Sequence, residues 1–265
     1  MAAAENSLAV SQRSGSTRAQ PRLPQHDEAI VTSLVRYGES DCIARLLCKH
    51  LGRVHAFVPR GLQPSKRRGA ALQAPALAAV AIRTSNNGGL ARLVQADVRS
   101  PTHLLSRSLR GFGLACYVAE LTESLLAEGE IAAPFFGVLE QTMRRIVTET
   151  EYGRLARAFE LKLLRFCGEL PQLEHATDNP AAPATAYHPH RGHVLARRQQ
   201  GCLPFSENAR QLACLLTTLP IDQPDQLPGC DSQTLRMVAS LVTSRLRQCG
   251  VKPTRSAAFL KEVCG

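Results

Sequence analysis

Glu28 to Ala70 reads "EAIVTSLVRYGESDCIARLLCKHLGRVHAFVPRGLQPSKRRGA", and its turn residues divide it into three strands and a loop. "EAIVTSLVR" is rich in β-formers, and "YGES" turns the chain. "DCIARLLCKH" sets Cys42, Ala44, Leu46 and Cys48 at alternate positions. "LG" makes a tight turn, and "RVHAFVPRG" puts Val54, Ala56 and Val58 on one face. Further on, "PALAAVAIRT" and "GLARLVQADV" read as two more strands. "SNNGG" joins them, because Asn and Gly accept the positive φ of a hairpin turn. About five short antiparallel strands within residues 26–100 predict a small closed barrel of the oligonucleotide-binding (OB) type.

The loop that ends this stretch is one-sided in charge. Arg60, Lys66, Arg67 and Arg68 crowd a segment opened by Gly61, Pro64 and Gly69. No Asp or Glu occurs between Asp41 and Asp97, an interval with nine cations. Residues 1–110 hold 16 Lys and Arg against 6 Asp and Glu, whereas residues 111–265 hold 16 of each. The net charge of +10 therefore lies wholly in the first part. Ordinary surfaces intersperse both signs, so the asymmetry points to a polyanionic partner for the barrel.

The 265 residues are 44% hydrophobic and 20% charged, which places the bulk of the chain in the globular class. Residues 1–25 are rich in Ser, Ala, Gln and Arg and read as a flexible tail. From residue 101 the apolar period becomes helical. Leu114, Val118, Leu121 and Leu125 share a face, as do Phe135, Leu139, Met143 and Ile146, and Leu155, Phe159, Leu163 and Phe166. Helical texture returns at "SENARQLACLLTTL", "DSQTLRMVASLVTSRLRQCG" and "TRSAAFLKEV", with Ser206 and Asp231 as caps and Gly250 as a stop. Residues 101–265 thus predict an α-helical domain, interrupted at about 168–205 by a Pro-rich irregular insertion or short hairpin. The fold class is α+β.

Several chemistries find no support. There is no "GxxxxGK[ST]", "GxSxG" or "HExxH". The acid-free stretch also lacks the carboxylates that hold a two-metal centre. Nine scattered cysteines, never two residues apart, fit small packing residues in a reducing cytosol. His188, His190 and His193, with His175 and Cys202 nearby, form the one metal-like cluster, but their spacing matches no paired-knuckle zinc form. They read as loop histidines. No apolar run is long enough for a membrane span, and the first residues show no secretory pattern.

From "EAIVTSLVRYGESD" through "HLGRVHAFVPRG", the basic loop and "ALQAP", the chain resembles the bacterial recombination-mediator family RecO. The similarity continues in "LLRFCGELPQL" and "KPTRSAAFLKEV". The resemblance implies an OB barrel and a helical domain that bind single- and double-stranded DNA and anneal complementary strands without ATP. It implies a partnership with RecR in loading RecA onto coated strands, and contact with the acidic tail of single-stranded-DNA-binding protein. It implies a mediator, not an enzyme, in the bacterial cytoplasm at the nucleoid, with no cofactor. Many members carry a four-cysteine zinc knuckle; here Ala176, Asn179, Ala196 and Gln199 stand near those places, so no metal is expected.

The expected DNA-contacting residues are Arg36, Arg53, Arg60, Lys66, Arg67, Arg68, Arg83 and Arg92. The aromatics here are few, Tyr37 and Phe57; either stacks on bases or packs at an edge. The expected tail-binding residues are Arg144, Arg145, Arg154, Arg157, Lys162 and Arg165, a cationic rim beside an apolar helix groove. The bland reading pairs them with Glu149, Glu151, Glu160 and Glu169 along the helices. Two other functions fit less well: an OB module for RNA or the ribosome, and a metal-dependent hydrolase built on His188, His190 and His193.

Overall fold

In the computed structural model the described residues are 23–63, 72–84, 90–99, 108–130, 132–222 and 230–264. Lys66, Arg67, Arg68, the "SNNGG" turn and residues 1–22 of the expected tail lie outside them.

Strand β1 (Gln25–Tyr37) closes a barrel by pairing twice. Its first half runs antiparallel to β4 (Ala76–Arg83), and its second half runs antiparallel to β2 (Asp41–Cys48). A register break between Val31 and Ser33 bends the strand from one partner to the other, as a bulge does. With β3 (Gly52–Val58) and β5 (Ala91–Val98), the closed order is β1-β2-β3-β5-β4. The sequence reading expected antiparallel strands throughout, but β3 and β5 pair in parallel, through Ala56 with Ala91 and Phe57 with Arg92. Five strands cannot alternate direction around a ring, so one seam must be parallel. The interior interleaves Ala29, Ala44, Ala56, Ala78 and Ala96 with Val31, Leu46, Val58, Val80, Ile82 and Leu93. Small residues are what a narrow barrel can hold.

Tight turns join the strands. Gly38 (φ 74°) and Gly52 (φ 72°) take the left-handed conformations of the first two turns. The buried Asp27 carboxylate accepts the N–H groups of His50 and Leu51, each at 2.9 Å, and so pins the β2–β3 turn to β1. Cys42 and Cys48 are buried in the barrel. Burial, then the Asp27 charge, pushes the Cys48 thiol up to about 12, in keeping with a packing role.

The helical domain comprises α1 (Leu109–Leu125), α2 (Ala133–Ile146), α3 (Tyr152–Phe166), α4 (Glu207–Thr218), α5 (Ser232–Gln248) and α6 (Arg255–Cys264). The expected caps are in place. Ser206 accepts from Ala209 N at 3.3 Å, Asp231 accepts from Thr234 N at 2.8 Å, and Gly250 ends α5 at φ 78°. Gly113 lets α1 approach α6 closely, since a Cβ there would stand 2.7 Å from the Phe259 ring. Between α3 and α4 the predicted irregular insertion contains a three-stranded sheet. Its strands are β6 (Ala186–His188), β7 (His193–Leu195) and β8 (Leu203–Pro204), in the order β7-β6-β8.

The barrel and helices share one core. Ile30, Leu47 and Leu77 project outward from β1, β2 and β4 and are buried among the apolar helix residues. Burying such a side chain fully contributes about 1.5–3 kcal/mol. Among the described residues, no helix is long and apolar enough to cross a membrane.

Candidate nucleic-acid interface

At the barrel end away from this shared core, five residues on five adjacent strands stand in one register row. Val35 pairs with Ile43, Ile43 with Phe57, Phe57 with Arg92, and Arg92 with Arg83. Flanking residues such as Ala44, Ala56, Val58, Ile82 and Leu93 point into the core, so the row faces outward. Of its apolar residues Val35 is 42% exposed while Ile43 and Phe57 are half-buried, and the neighbouring Tyr37 is 60% exposed. The Tyr37 and Phe57 rings meet edge to face, with centroids 5.9 Å apart and planes at 87°. Leu90, two residues before Arg92, is also exposed.

The barrel cations expected from sequence fall into three groups. Arg92 is exposed and Arg83 half-buried on adjacent strands; Arg83 Nε has no hydrogen-bond partner among the described residues. Arg36 and Arg60 are exposed beside them, at the turns. Arg36 folds onto the carbonyls of Gly38 (3.1 Å) and Glu39 (3.2 Å). Arg60 adopts φ 52°, held by its N–H donating to Asp41 Oδ1 at 2.7 Å. Arg53 is elsewhere. Its Nη1 donates to Glu123 O at 2.7 Å and to Leu126 O, capping the C-terminal carbonyls of α1. It belongs to the joint between barrel and helices, and its place in the expected DNA-contacting set gives way to that role. Arg45 lies at the same joint, 2.9 Å from Glu123 Oε2. Thr32 and Ser33 donate to the other oxygen of that carboxylate.

The expected tail-binding cations do not form one rim. Arg145 and Arg157 are mostly buried, paired with Glu149 and Glu160 at 2.7 Å each. They are internal ion pairs, so the bland reading describes these two better. Glu160 is fully buried and also accepts from Tyr117 Oη at 2.5 Å. Burial pushes its carboxyl up, against the pull of Arg157 and Tyr117. Lys162 donates to Thr217 O at the end of α4 (2.9 Å); burial, then nearby Arg165, pushes its ammonium down. Arg144 is exposed but 2.7 Å from Glu140, Arg154 is half-buried, and Arg165 is exposed.

The histidine loop holds His188 and His193 in register across β6 and β7, with ring centroids 6.2 Å apart. Among the described residues, no three His, Cys, Asp or Glu are grouped to hold a metal. Near Ala176, Asn179, Ala196 and Gln199, where the sequence reading expected no metal, a carboxylate joins the two segments. Asp178 accepts from Ala196 N at 2.6 Å and Arg197 N at 3.2 Å, beside a small core of Ala186, Leu195 and Cys202.

Sequence reasoning overlooked Val35 and Ile43 in the row. The available signal was phase: these are apolar residues on the solvent-facing alternation of their strands, where polar ones belong.

Comparison with known proteins agrees with this architecture. Residues 23–102 match the family model described as Recombination protein O N terminal, and residues 106–219 match Recombination protein O C terminal. A DNA repair protein RecO of Desulforudis audaxviator is 28% identical over 243 residues, covering 89% of this chain and 96% of the relative. One from Geobacter metallireducens is 27% identical over 241 residues, covering 89% and 96%. One from Pelotomaculum thermopropionicum is 32% identical over 150 residues, 57% of each chain.

Proposed function

The chain belongs to the recombination protein O (RecO) family, and on that premise we propose that it binds single- and double-stranded DNA and anneals complementary strands without ATP. In this reading it is a mediator rather than an enzyme. It acts with RecR to help load RecA onto strands coated by single-stranded-DNA-binding protein, in the bacterial cytoplasm at the nucleoid, without cofactor or metal. The observation that carries the reading is the pair Arg83 and Arg92. They lie on adjacent strands of a barrel within residues 1–110, the part that holds the chain's net charge, and neither has a carboxylate partner among the described residues.

Such cations neutralise phosphates and release condensed counterions. Screening two complementary strands at once lowers their repulsion, and base pairing then drives annealing. Arg36, Arg60, Arg83 and Arg92, with Lys66, Arg67 and Arg68, are the proposed contacts. If about five of them form on a single strand, log affinity falls against log salt with a slope near −3.5. Replacing Lys66, Arg67 and Arg68 together by Ala reduces the slope by about 2 and weakens all sequences alike. The deciding experiment is annealing, without ATP, of complementary oligonucleotides coated with the cognate coat protein. A flat salt dependence, or no annealing above the protein-free rate, refutes the reading.

For the acidic tail of the coat protein, the remaining candidates are Arg144, Arg154, Lys162 and Arg165, beside the helical core. Titration of the full-length protein with a tail peptide tests them, and absence of binding removes that part of the proposal.

A further inference from the structure

We infer that Tyr37 and Phe57 form a stacking platform for unpaired nucleobases, and that this platform sets a preference for single strands over duplex. The inference rests on the DNA-binding reading and adds a ligand class to the same face. A solvated barrel strand carries polar side chains on its outward alternation, yet Val35, Ile43 and Phe57 occupy successive outward positions on β1, β2 and β3. The shared core with the helices uses other outward residues, Ile30, Leu47 and Leu77, so it does not explain the row. Tyr37, 60% exposed, is braced edge to face by Phe57. Clustered exposed apolar side chains of this kind mark a binding surface.

Charge identifies the occupant. Arg92 is the register partner of Phe57 and Arg83 the next across, about 5 and 10 Å away at the usual strand spacing. A base on the rings therefore places its own backbone phosphates within reach of the two guanidinium groups. Bases within a duplex already stack on one another and cannot reach the rings, whereas every unpaired base has a free π-face. The duplex then binds through the cations alone.

The test uses full-length protein with the variants Tyr37→Ala, Phe57→Ala and Tyr37→Phe. The probes are a single-stranded oligonucleotide carrying 2-aminopurine and a blunt duplex of the same sequence. Loss of a ring is expected to weaken single-strand binding about 5- to 150-fold. Duplex affinity should stay within about twofold, and the salt slope should not change, because no phosphate contact is lost. Tyr37→Phe should keep single-strand affinity and the 2-aminopurine signal, which separates stacking from misfolding. Equal losses on both probes overturn the platform. Unchanged binding by both Ala variants also overturns it, and leaves the row to an apolar partner segment. If the wild type binds neither probe, the DNA-binding reading itself fails.

Discussion

Residues 1–110 and residues 111–265 hold the same number of Lys and Arg residues, but the helices and the far end of the barrel dispose of theirs differently. In the helical half, Arg144, Arg145, Arg157, Arg210 and Arg245 each meet a glutamate, and the Arg157 partner is fully buried. At the far end of the barrel, Arg36, Arg83 and Arg92 meet no carboxylate among the described residues. A cation with a fixed internal partner is structural, and one left facing water is available to a ligand. Net charge by region therefore says more about binding than the number of cations does.

The comparison can be broken most decisively at Glu160. Glu160→Ala leaves Arg157 and the Tyr117 hydroxyl without their shared acceptor, and should lower stability by about 3–5 kcal/mol in denaturant unfolding. Glu160→Gln, which keeps an acceptor oxygen, should cost much less. Next comes Arg53→Ala, which frees the end carbonyls of α1 and should cost about 1–3 kcal/mol. If Arg53 serves the joint alone, the salt slope for DNA will not change. A slope reduced by about 0.7 would return it to the DNA-contacting set. The double variant Arg83→Ala/Arg92→Ala should behave inversely. Stability should move within about 0.5 kcal/mol, while the single-strand slope falls by about 1.4. A large loss of stability there would erase the distinction between the helices and the far end of the barrel.

The smallest effect concerns acid. Burial raises the Asp27 carboxyl, but hydrogen bonds from Leu51, His50 and Glu28 outweigh it, so its pKa lies below the ordinary 3.8. A depressed carboxyl contributes stability that is fully present above 3.8 and is lost as pH falls through the folded-state value. Asp27→Asn should therefore flatten the wild type's loss of stability in that acid window. An unchanged acid profile would show that Asp27 does not anchor the β2–β3 turn.

The strands were legible because one face is wetted and the other buried, which prints a period of two; Cys42, Ala44, Leu46 and Cys48 show it plainly. The helix caps were legible because Ser206 and Asp231 act on backbone groups three residues away. The sheet of β6, β7 and β8 was not, since strands of two or three residues are too short to show a period. Arg53 was not, because alternation tells outward from inward but not which outward surface another domain covers. Lys66, Arg67 and Arg68, the most conspicuous cations in the sequence, lie outside the described residues. Their role rests on charge alone.

Ile30, Leu47 and Leu77 join the barrel and the helices through one shared core. Cutting the chain between the domains would leave a greasy stripe on each piece. Fragments made to test one half alone should therefore self-associate, and the intact protein should unfold in one transition rather than two.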